Sequence, residues 1–258
     1  HDFGTIQAAI DAAAPGGTVH VYPGSYREVI EIDKNVRVLG VGDRSQIILR
    51  QVPGEAIVWF GGGNGMIANM SIGEVRGDHH AIDVSAGAPT IENVDVSGMD
   101  YPLIRIRDGA NPSVLRNSIH GAETNGIMVL DGGRGRIENN DIFDLGFVSV
   151  WITGNSDPMV RNNRIFDGRQ DGILVQENAA GTIEGNQIYD NLQAGVTTQS
   201  GGRPRVIGNT ITGNGYQAIW IQAGGRGRFE NNDLRGNASG AWFLEIDAGT
   251  IQNINNIE

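Results

Sequence analysis

Short runs of alternating apolar and polar residues recur along the second half of this chain at a fixed interval of 23 residues. An Asn followed two positions later by Ile or Leu returns with this period, at Asn117, Asn140, Asn163, Asn186, Asn209, Asn232 and Asn255. A small residue preceding an apolar one returns in step, at Gly126, Ser149, Gly172, Gly195, Ala218 and Ala241. A third, apolar position recurs at Val114, Ile137, Val160, Ile183, Val206 and Phe229.

Each repeat therefore contains three strand signals of about three to five residues, separated by Gly, Asn and Asp. No segment between them is long enough for a crossover helix. Strands that repeat in the same order can form all their backbone hydrogen bonds with the copies one repeat before and after, about 4.8 Å away. The pattern predicts an all-β, single-stranded parallel β-helix of about ten coils. Ile91 and Val96 continue it one coil earlier, and Ile72, Ile48 and Val38 extend it with irregular spacing.

The start of the chain has a different period. Phe3, Ile6, Ile10 and Ala13 fall on one helical stripe before Pro15, which predicts an amphipathic helix that caps the first coil. We expect one domain over residues 1–258, with the cap helix at 3–14, irregular coils at 18–90 and regular coils at 91–258. The last coil has no comparable cap, so we expect further chain or self-association to cover it.

The strand that begins at the second register carries the main candidate for binding. If Ile127 and Val129 point into the coil, the residue between them points out, and so do its equivalents. These outward positions are Met128, Trp151, Leu174, Thr197, Trp220 and Phe243. Exposed apolar stripes mark interaction sites, and Trp faces can stack on sugar rings or anchor a protein partner.

The same strand position becomes polar toward the N-terminus, where it holds the main candidates for catalysis. The candidate catalytic residues are Asp83, Arg105, Arg107, His79 and His80. Three further polar residues adjoin the stripe as candidate ligand contacts: Tyr101, Glu123 and Asp171. Arg or His could abstract a proton from a polysaccharide while Asp holds a cation. Alternatively, Asp83 with Glu123 or Asp171 would form a glycosidase pair if their carboxyl groups lay about 5–9.5 Å apart.

The recurring Asn residues are better explained by structure than by ligand binding. Asn tolerates left-handed backbone conformations, and its side chain can hydrogen-bond the amides of stacked turns. Seven copies separated by one coil therefore predict a structural corner, an Asn ladder, and we predict no metal site there.

Composition narrows the range of partners. The net charge is −11, and Lys34 is the only lysine beside 18 arginines, which disfavours nucleic acid and acidic membrane surfaces. Cysteine is absent, so disulfides and thiolate metal sites are excluded and the compartment is left open. The 39 glycines, about twice the usual share, imply many turns or closely stacked backbones.

Two resemblances support the fold. Residues 3–49, with Thr5-Ile6-Gln7-Ala8-Ala9-Ile10 and Tyr22-Pro23-Gly24-Ser25-Tyr26, resemble the opening coils of pectin methylesterases and other pectate-lyase-like right-handed β-helices. No counterpart of the pectin methylesterase catalytic motifs is found. Residues 79–256, with segments such as Gly185-Asn186-Gln187-Ile188-Tyr189, resemble CASH-type β-helical repeats. That resemblance implies a right-handed β-helix.

These repeats occur in carbohydrate-binding proteins, in sugar hydrolases and in the substrate-recognition half of an F-box-only ubiquitin-ligase adaptor. This chain shows no F-box-like helical segment. Alginate epimerases share the fold, but their Asp-Pro-His motif is not matched, because Asp157-Pro158 is followed here by Met159.

These observations lead to three alternative hypotheses about the function. The leading hypothesis is a recognition module that presents the stripe to a polysaccharide or a protein. The second is a polysaccharide lyase, hydrolase or epimerase, for which no cofactor is expected other than calcium in the case of a lyase. The third is a structural spike or assembly segment.

Overall fold

Three parallel sheets run the length of the molecule. The computed structural model describes residues 2–75, 79–98 and 100–258. Sheet A contains the strands Thr18–Val21, Arg37–Gly40, Met66–Ala68, Thr90–Glu92, Ser113–Leu115, Arg136–Glu138, Met159–Arg161, Thr182–Glu184, Arg205–Ile207, Gly227–Glu230 and Ile251–Ile254. Sheet B contains Gly24–Arg27, Ile47–Arg50, Ser71–Val75, Asp95–Gly98, Ser118–Ala122, Asp141–Leu145, Arg164–Phe166, Gln187–Tyr189 and Thr210–Thr212. Sheet C contains Ile30–Ile32, Val58–Phe60, Ile82–Val84, Ile104–Ile106, Ile127–Val129, Val150–Ile152, Ile173–Val175, Val196–Thr198, Ile219–Ile221 and Trp242–Leu244.

As far as Gly227–Glu230, successive strands enter sheets A, B and C in turn, and each pairs in parallel with its neighbours in the adjacent coils; the last coil adds no strand to sheet B. Val114 thus pairs with Ile91 and Ile137 in sheet A. This confirms the predicted parallel β-helix of about ten coils. One predicted position is wrong: Leu49, not Ile48, pairs with Ile72 and points inward. The irregular spacing of the first coils hid this shift by one residue, which moves a side chain to the other face of a strand.

The core lies inside the coils, where inward residues of the three sheets meet. In sheet C, Ile127 and Val129 are fully buried, as are Val150 and Ile152 in the next coil. The residue between each buried pair points outward and remains partly exposed. The alternation seen in the sequence is therefore the in–out alternation of each strand.

The first coil is capped by a helix over Ile6–Ala12, shorter than the predicted 3–14. Ile6 and Ile10 are buried against the coil, whereas Phe3 lies outside the helix and is exposed. The Glu28 carboxylate accepts hydrogen bonds from the backbone amides of Ile6 and Gln7. These amides lie in the first turn of the helix, where they have no hydrogen-bond partner within the helix itself. Within the described ranges, no helix has the length and hydrophobicity to cross a lipid bilayer.

The predicted Asn ladder forms a continuous corner between sheets A and B. The side-chain oxygen of Asn140 accepts hydrogen bonds from the backbone and side-chain nitrogens of Asn117, at 2.9 and 3.0 Å. The pattern repeats in each later coil as far as Asn232. At the last step the acceptor is Asn256, not the predicted Asn255, so this coil contains one extra residue.

A second Asn ladder, which sequence reasoning missed, lines the corner between sheets B and C. The Asn214 side-chain oxygen accepts from the backbone and side chain of Asn191, and Asn237 accepts in the same way from Asn214. Their spacing of 23 residues is visible in the sequence and could have revealed the ladder. This corner borders sheet C and helps to fix the edge of its outer face.

Glycines serve two purposes in the coils. A Cβ atom at Gly195 would lie 2.9 Å from the carbonyl oxygen of Ala218, so glycine is needed there for coils to stack. Gly213 instead adopts a φ of +70°, in the left-handed region that favours glycine.

Candidate functional site

The outer face of sheet C brings most of the predicted site residues into one column. Register pairing places one residue of each coil directly over the next. From the N-terminal end, the column reads Glu31, Trp59, Asp83, Arg105, Met128, Trp151, Leu174, Thr197, Trp220 and Phe243. The predicted stripe and the predicted catalytic strand positions are therefore continuous.

Asp83 forms the centre of the polar end. Arg105 donates to both of its carboxylate oxygens, at 3.0 and 2.8 Å, and Arg107 does the same at 3.2 and 3.1 Å. Burial by itself raises the pKa of Asp83, but the two guanidinium groups outweigh it and hold the pKa below its usual value. Arg107 also pairs with Asp108. Asp83 is thus an ionised carboxylate held by two arginines, which makes it a poor proton donor.

His80 and Tyr101 lie beside this ion-pair cluster. The Nδ1 atom of His80 lies 2.7 Å from the carbonyl oxygen of Pro102, so Nδ1 carries the proton and Nε2 is the acceptor. Burial lowers the pKa of His80 to about 4, against the opposing effect of the Pro102 carbonyl, so the ring is neutral at pH 7. Tyr101 packs edge-on against it, with ring centroids 5.3 Å apart. His79 is partly exposed.

Trp59, which sequence reasoning did not select, flanks the polar cluster on its N-terminal side. It precedes Asp83 in the column, and its indole nitrogen donates to the Ser85 hydroxyl at 3.1 Å. A Cβ atom at Gly61 would lie 2.5 Å from the Trp59 ring, so glycine gives the indole room. The irregular early coils concealed Trp59 as a member of the stripe.

The apolar part of the column contains two indoles with buried polar atoms. Trp151 and Trp220 are partly exposed, yet their Nε1 atoms are buried and have no hydrogen-bond partner among the described residues. Buried indole N–H groups usually find a partner. Thr197, predicted to be exposed, is instead fully buried, because its short side chain lies below its larger neighbours in the column.

Aromatic side chains from the corner between sheets B and C extend this face. Tyr216 stacks on Trp220 with ring centroids 5.9 Å apart, and Phe243 meets the same indole edge-on at 6.2 Å. Phe147, Tyr216 and Phe243 each expose nearly half of their surface. Tyr216 lies four residues before Trp220, outside the strand, so an analysis of strand positions alone misses it.

A column of amide side chains runs beside the apolar stripe. Gln176, Gln199 and Gln222 lie two residues after the stripe position in three successive coils and are partly exposed. The Gln199 amide donates to the Gln176 side-chain oxygen at 2.5 Å. The face therefore offers hydrogen-bonding groups next to apolar and aromatic surface. The 23-residue spacing of these glutamines was a usable but unused sequence signal.

Asp171 lies under this face and is not an exposed ligand contact. It is buried, and its Oδ1 atom accepts a hydrogen bond from the Ala194 amide at 3.0 Å. Burial raises the pKa of Asp171 to about 6, although the Ala194 amide acts in the opposite direction. The residue is therefore a buried titratable group within the wall of the coil.

Distance excludes the Asp83–Asp171 glycosidase pair, and the ion pair of Glu123 directs its carboxylate away from Asp83. Asp171 lies almost four coils from Asp83, about 19 Å along the axis at the coil spacing of about 4.8 Å, which exceeds the catalytic range. Glu123 lies two coils away, and its carboxylate pairs at 3.0 Å with Arg169, two coils further on, so it leans away from Asp83. Both side chains of the Glu123–Arg169 pair are well exposed.

The near-match to the Asp-Pro-His motif lies elsewhere. Asp157 and Pro158 precede the sheet A strand Met159–Arg161, whereas the candidate face belongs to sheet C. In the described part of the chain, no group of three or more His, Asp or Glu side chains is arranged to hold a metal ion.

The three-sheet coil and its outer column define a right-handed parallel β-helix. The family described as "Right handed beta helix region" matches residues 55–210 and 148–257, which together cover most of the sequence. The chain belongs to this family. No curated protein matches the sequence significantly.

Solved structures show the same fold at low sequence identity. The A-module of the mannuronan C-5 epimerase AlgE4 of Azotobacter vinelandii is 17% identical, with a TM-score of 0.76 over 98% of this chain and 90% of that one. The tailspike gp49 of Acinetobacter baumannii bacteriophage Fri1, a capsular polysaccharide depolymerase, is 14% identical, with a TM-score of 0.66 over 99% and 59%. The catalytic unit of a GH87 α-1,3-glucanase from Streptomyces thermodiastaticus is 16% identical, with a TM-score of 0.59 over 98% and 65%.

Proposed function

We propose that this β-helix binds a polysaccharide along the outer face of sheet C. The observation that carries the proposal is the pair of partly exposed indoles, Trp151 and Trp220, which lie on one outward column of sheet C. The two residues are three coils apart, about 14 Å along the axis at the β-strand spacing. This distance suits an extended chain better than a single small molecule.

The chemistry of the face matches that of a sugar. Pyranose rings present C–H groups that pack on indoles and hydroxyl groups that exchange hydrogen bonds with amides, and both partners occur here side by side. Gln176 and Gln199 supply the amides, and Tyr216 widens the aromatic surface. The structural neighbours named above include an epimerase, a depolymerase and a glucanase, and these names support a polysaccharide ligand.

A glycan-binding assay tests the proposal. A panel of neutral and uronate polysaccharides is titrated by calorimetry against the unmodified protein and a Trp151→Ala/Trp220→Ala double variant. We expect affinity to fall at least about tenfold, since an aromatic–sugar stack contributes about 1–2 kcal/mol. Trp242→Ala is the matched control, because Trp242 packs on Phe229 outside the outer column. Equal binding by the double variant would refute the assignment of this face.

A second candidate function is lyase or epimerase chemistry at the polar end. The observation that favours it is the neutral His80, with Nε2 as the acceptor nitrogen, beside Tyr101 and the arginine-held Asp83. A neutral imidazole can accept a proton, and Arg105, which binds Asp83 through Nε and Nη2, keeps Nη1 for a carboxylate sugar.

Incubation with uronans, with and without calcium, tests this candidate. A lyase would generate an unsaturated product that absorbs ultraviolet light, and an epimerase would change the uronate composition measured by NMR. His80→Gln should abolish either product. Absence of both products from the unmodified protein would leave binding as the function of this face.

A further inference from the structure

A second aromatic array lies on the outer side of sheet B, away from the face discussed above. His120, Phe143, Phe166 and Tyr189 occupy one register position in four successive coils. Their ring centroids are 4.8, 5.0 and 5.0 Å apart, and their planes differ by 10°, 7° and 3°. Each ring therefore covers the face of its neighbour at the spacing of the coils.

The stack ends at Tyr189, where a pocket begins. The next residue in register is Thr212, whose short side chain does not cover the Tyr189 ring. The pocket has a volume of about 360 Å³ and is lined by Gln187, Tyr189, Asp190, Thr210, Thr212 and Gly213. A flat group placed over Thr212 would continue the stack by one more step.

Polar groups surround this open ring face. Among the described residues, the side chains of Gln187, Asp190 and Thr210 have no hydrogen-bond or ion-pair partner. Gly213 borders the Asp190 carboxylate, and a Cβ atom there would lie 2.7 Å from Oδ1, so glycine keeps this oxygen approachable. The pocket thus combines one aromatic surface with an amide, a hydroxyl and a carboxylate that can receive sugar hydroxyl groups.

The charges at the pocket favour a neutral ligand. Its lining contains one carboxylate and no cationic side chain. Two arginines lie close to the pocket, and both are held by carboxylates. Arg164, the register partner of Gln187, binds Asp141 at 2.6 Å, and Arg235 binds Asp233 at 2.8 Å. A carboxylate sugar placed here would meet the negative charge of Asp190, while the charges of both arginines are already balanced by their carboxylate partners.

We propose that the pocket beside Tyr189 is a separate binding site for a neutral pyranose residue. The sugar's C–H face would stack on Tyr189 above Thr212, and its hydroxyl groups would bond to Asp190 and Gln187. This site does not depend on the sheet C face, because it lies on a different sheet.

NMR of threonine methyl groups tests the site directly. The labelled protein is titrated with methyl glycosides of glucose, galactose and mannose, and with methyl glucuronide as the anionic probe. We expect the Thr212 and Thr210 methyl signals to shift with at least one neutral glycoside, with a dissociation constant of about 1–10 mM, as suits one stacked ring. The Thr182 methyl, on sheet A, should not move.

Two variants remove the site in different ways. Thr212→Phe places a ring over Tyr189 and should abolish the Thr210 shift without loss of stability, because it extends the stack. Thr182→Phe is the matched control, since it introduces the same outward ring on sheet A. Tyr189→Leu should weaken binding at least about tenfold by removing the stacking surface. Thermal melting establishes that each variant is folded.

The results separate this site from the sheet C proposal. The Trp151→Ala/Trp220→Ala variant should retain the Thr212 shift, whatever happens to polysaccharide binding. No Thr210 or Thr212 shift with any neutral glycoside, or an undiminished shift in both Tyr189→Leu and Thr212→Phe, would overturn the proposal. Tighter binding of the glucuronide than of the neutral glycosides would also overturn it.

Discussion

The outer faces of sheets B and C follow the same coil spacing but differ in how their aromatic residues are arranged. On sheet B, three rings and one imidazole occupy consecutive coils and cover one another. On sheet C, Trp151 and Trp220 are separated by Leu174 and Thr197, so the indoles do not meet. Within an uninterrupted column each ring covers its neighbour, whereas an interrupted column leaves partly exposed aromatic surface along its length for a ligand.

The two faces also differ in their buried charge. The stack is held by ring contacts and by one partly exposed contact at its end, where His120 lies 3.1 Å from the Asp95 carboxylate. The sheet C face instead contains Asp83 between two arginines, the neutral His80 and the buried Asp171. Its stability should therefore respond to pH and to removal of single charges. The stack should respond to loss of packing.

The largest effect that we expect comes from Asp171. Its pKa of about 6 exceeds the usual 3.8, so between pH 4 and 6 the folded state keeps a proton that the unfolded chain releases. Stability should fall by about 3 kcal/mol as pH rises through this range, and Asp171→Asn should lack this loss. Urea unfolding at several pH values measures it.

The control for this measurement is the exposed Asp157→Asn variant. His80 titrates in the opposite sense, since its lowered pKa makes stability fall as pH decreases from 6.5 toward 4. That contribution is common to the protein and the Asp171→Asn variant and cancels in their difference. The prediction would be contradicted if the difference in unfolding free energy between the unmodified protein and the Asp171→Asn variant did not vary with pH.

Removing the Asp83 carboxylate should have the next largest effect. Asp83→Asn leaves Arg105 and Arg107 without their shared anion, and we expect a loss of about 2 kcal/mol, reduced because both arginines are about 30% exposed. The double variant Asp83→Asn/Arg105→Gln should lose less than the sum of its single changes. Additive losses in a double-mutant cycle would show that the pair is not coupled.

Within the stack, Phe143→Ala should cost about 1–2 kcal/mol, because Phe143 contacts a ring on each side. Met128→Ala on sheet C is the comparison, and we expect a smaller loss there. Chemical denaturation of both variants gives the two values. An equal or larger loss for Met128→Ala would mean that continuous stacking adds no stability.

The smallest effect should come from the exposed pair at the edge of sheet C. Glu123→Gln should change stability by less than about 0.5 kcal/mol, because both Glu123 and Arg169 are solvated. The change should shrink further at high salt, where surface charges are screened. A loss above about 1 kcal/mol would assign this ion pair a structural role.

The fold could be predicted because its repeat is regular in the sequence. Asn117 to Asn232 keep one spacing, and that spacing is the length of a coil. The prediction is wrong where the spacing changes: the inward residue is Leu49 and not Ile48, and the last acceptor of the ladder is Asn256 and not Asn255. In the same irregular region, the prediction omits Trp59 from the column. A one-residue insertion shifts the pairing of the residues that follow it, and the local pattern of apolar and polar residues does not indicate where the insertion lies.

The site was predicted only in part. The sequence alternation correctly placed Trp151 and Trp220 on an outer face, because strand geometry dictates which side chains point outward. It could not show that Thr197 is buried, that Asp171 faces a backbone amide or that Glu123 turns toward Arg169. Those outcomes depend on the size and charge of side chains in neighbouring coils.

The sequence alone determined the coil, its period and the face on which each strand residue lies, because these follow from backbone pairing between repeats of equal length. Only the tertiary structure decided which outward side chains cover one another and which remain accessible to a ligand. Tyr189 and Trp220 illustrate this difference. Each is an outward aromatic residue in a repeat of 23, and only the side chains in the adjacent coils determine how much of its ring remains accessible.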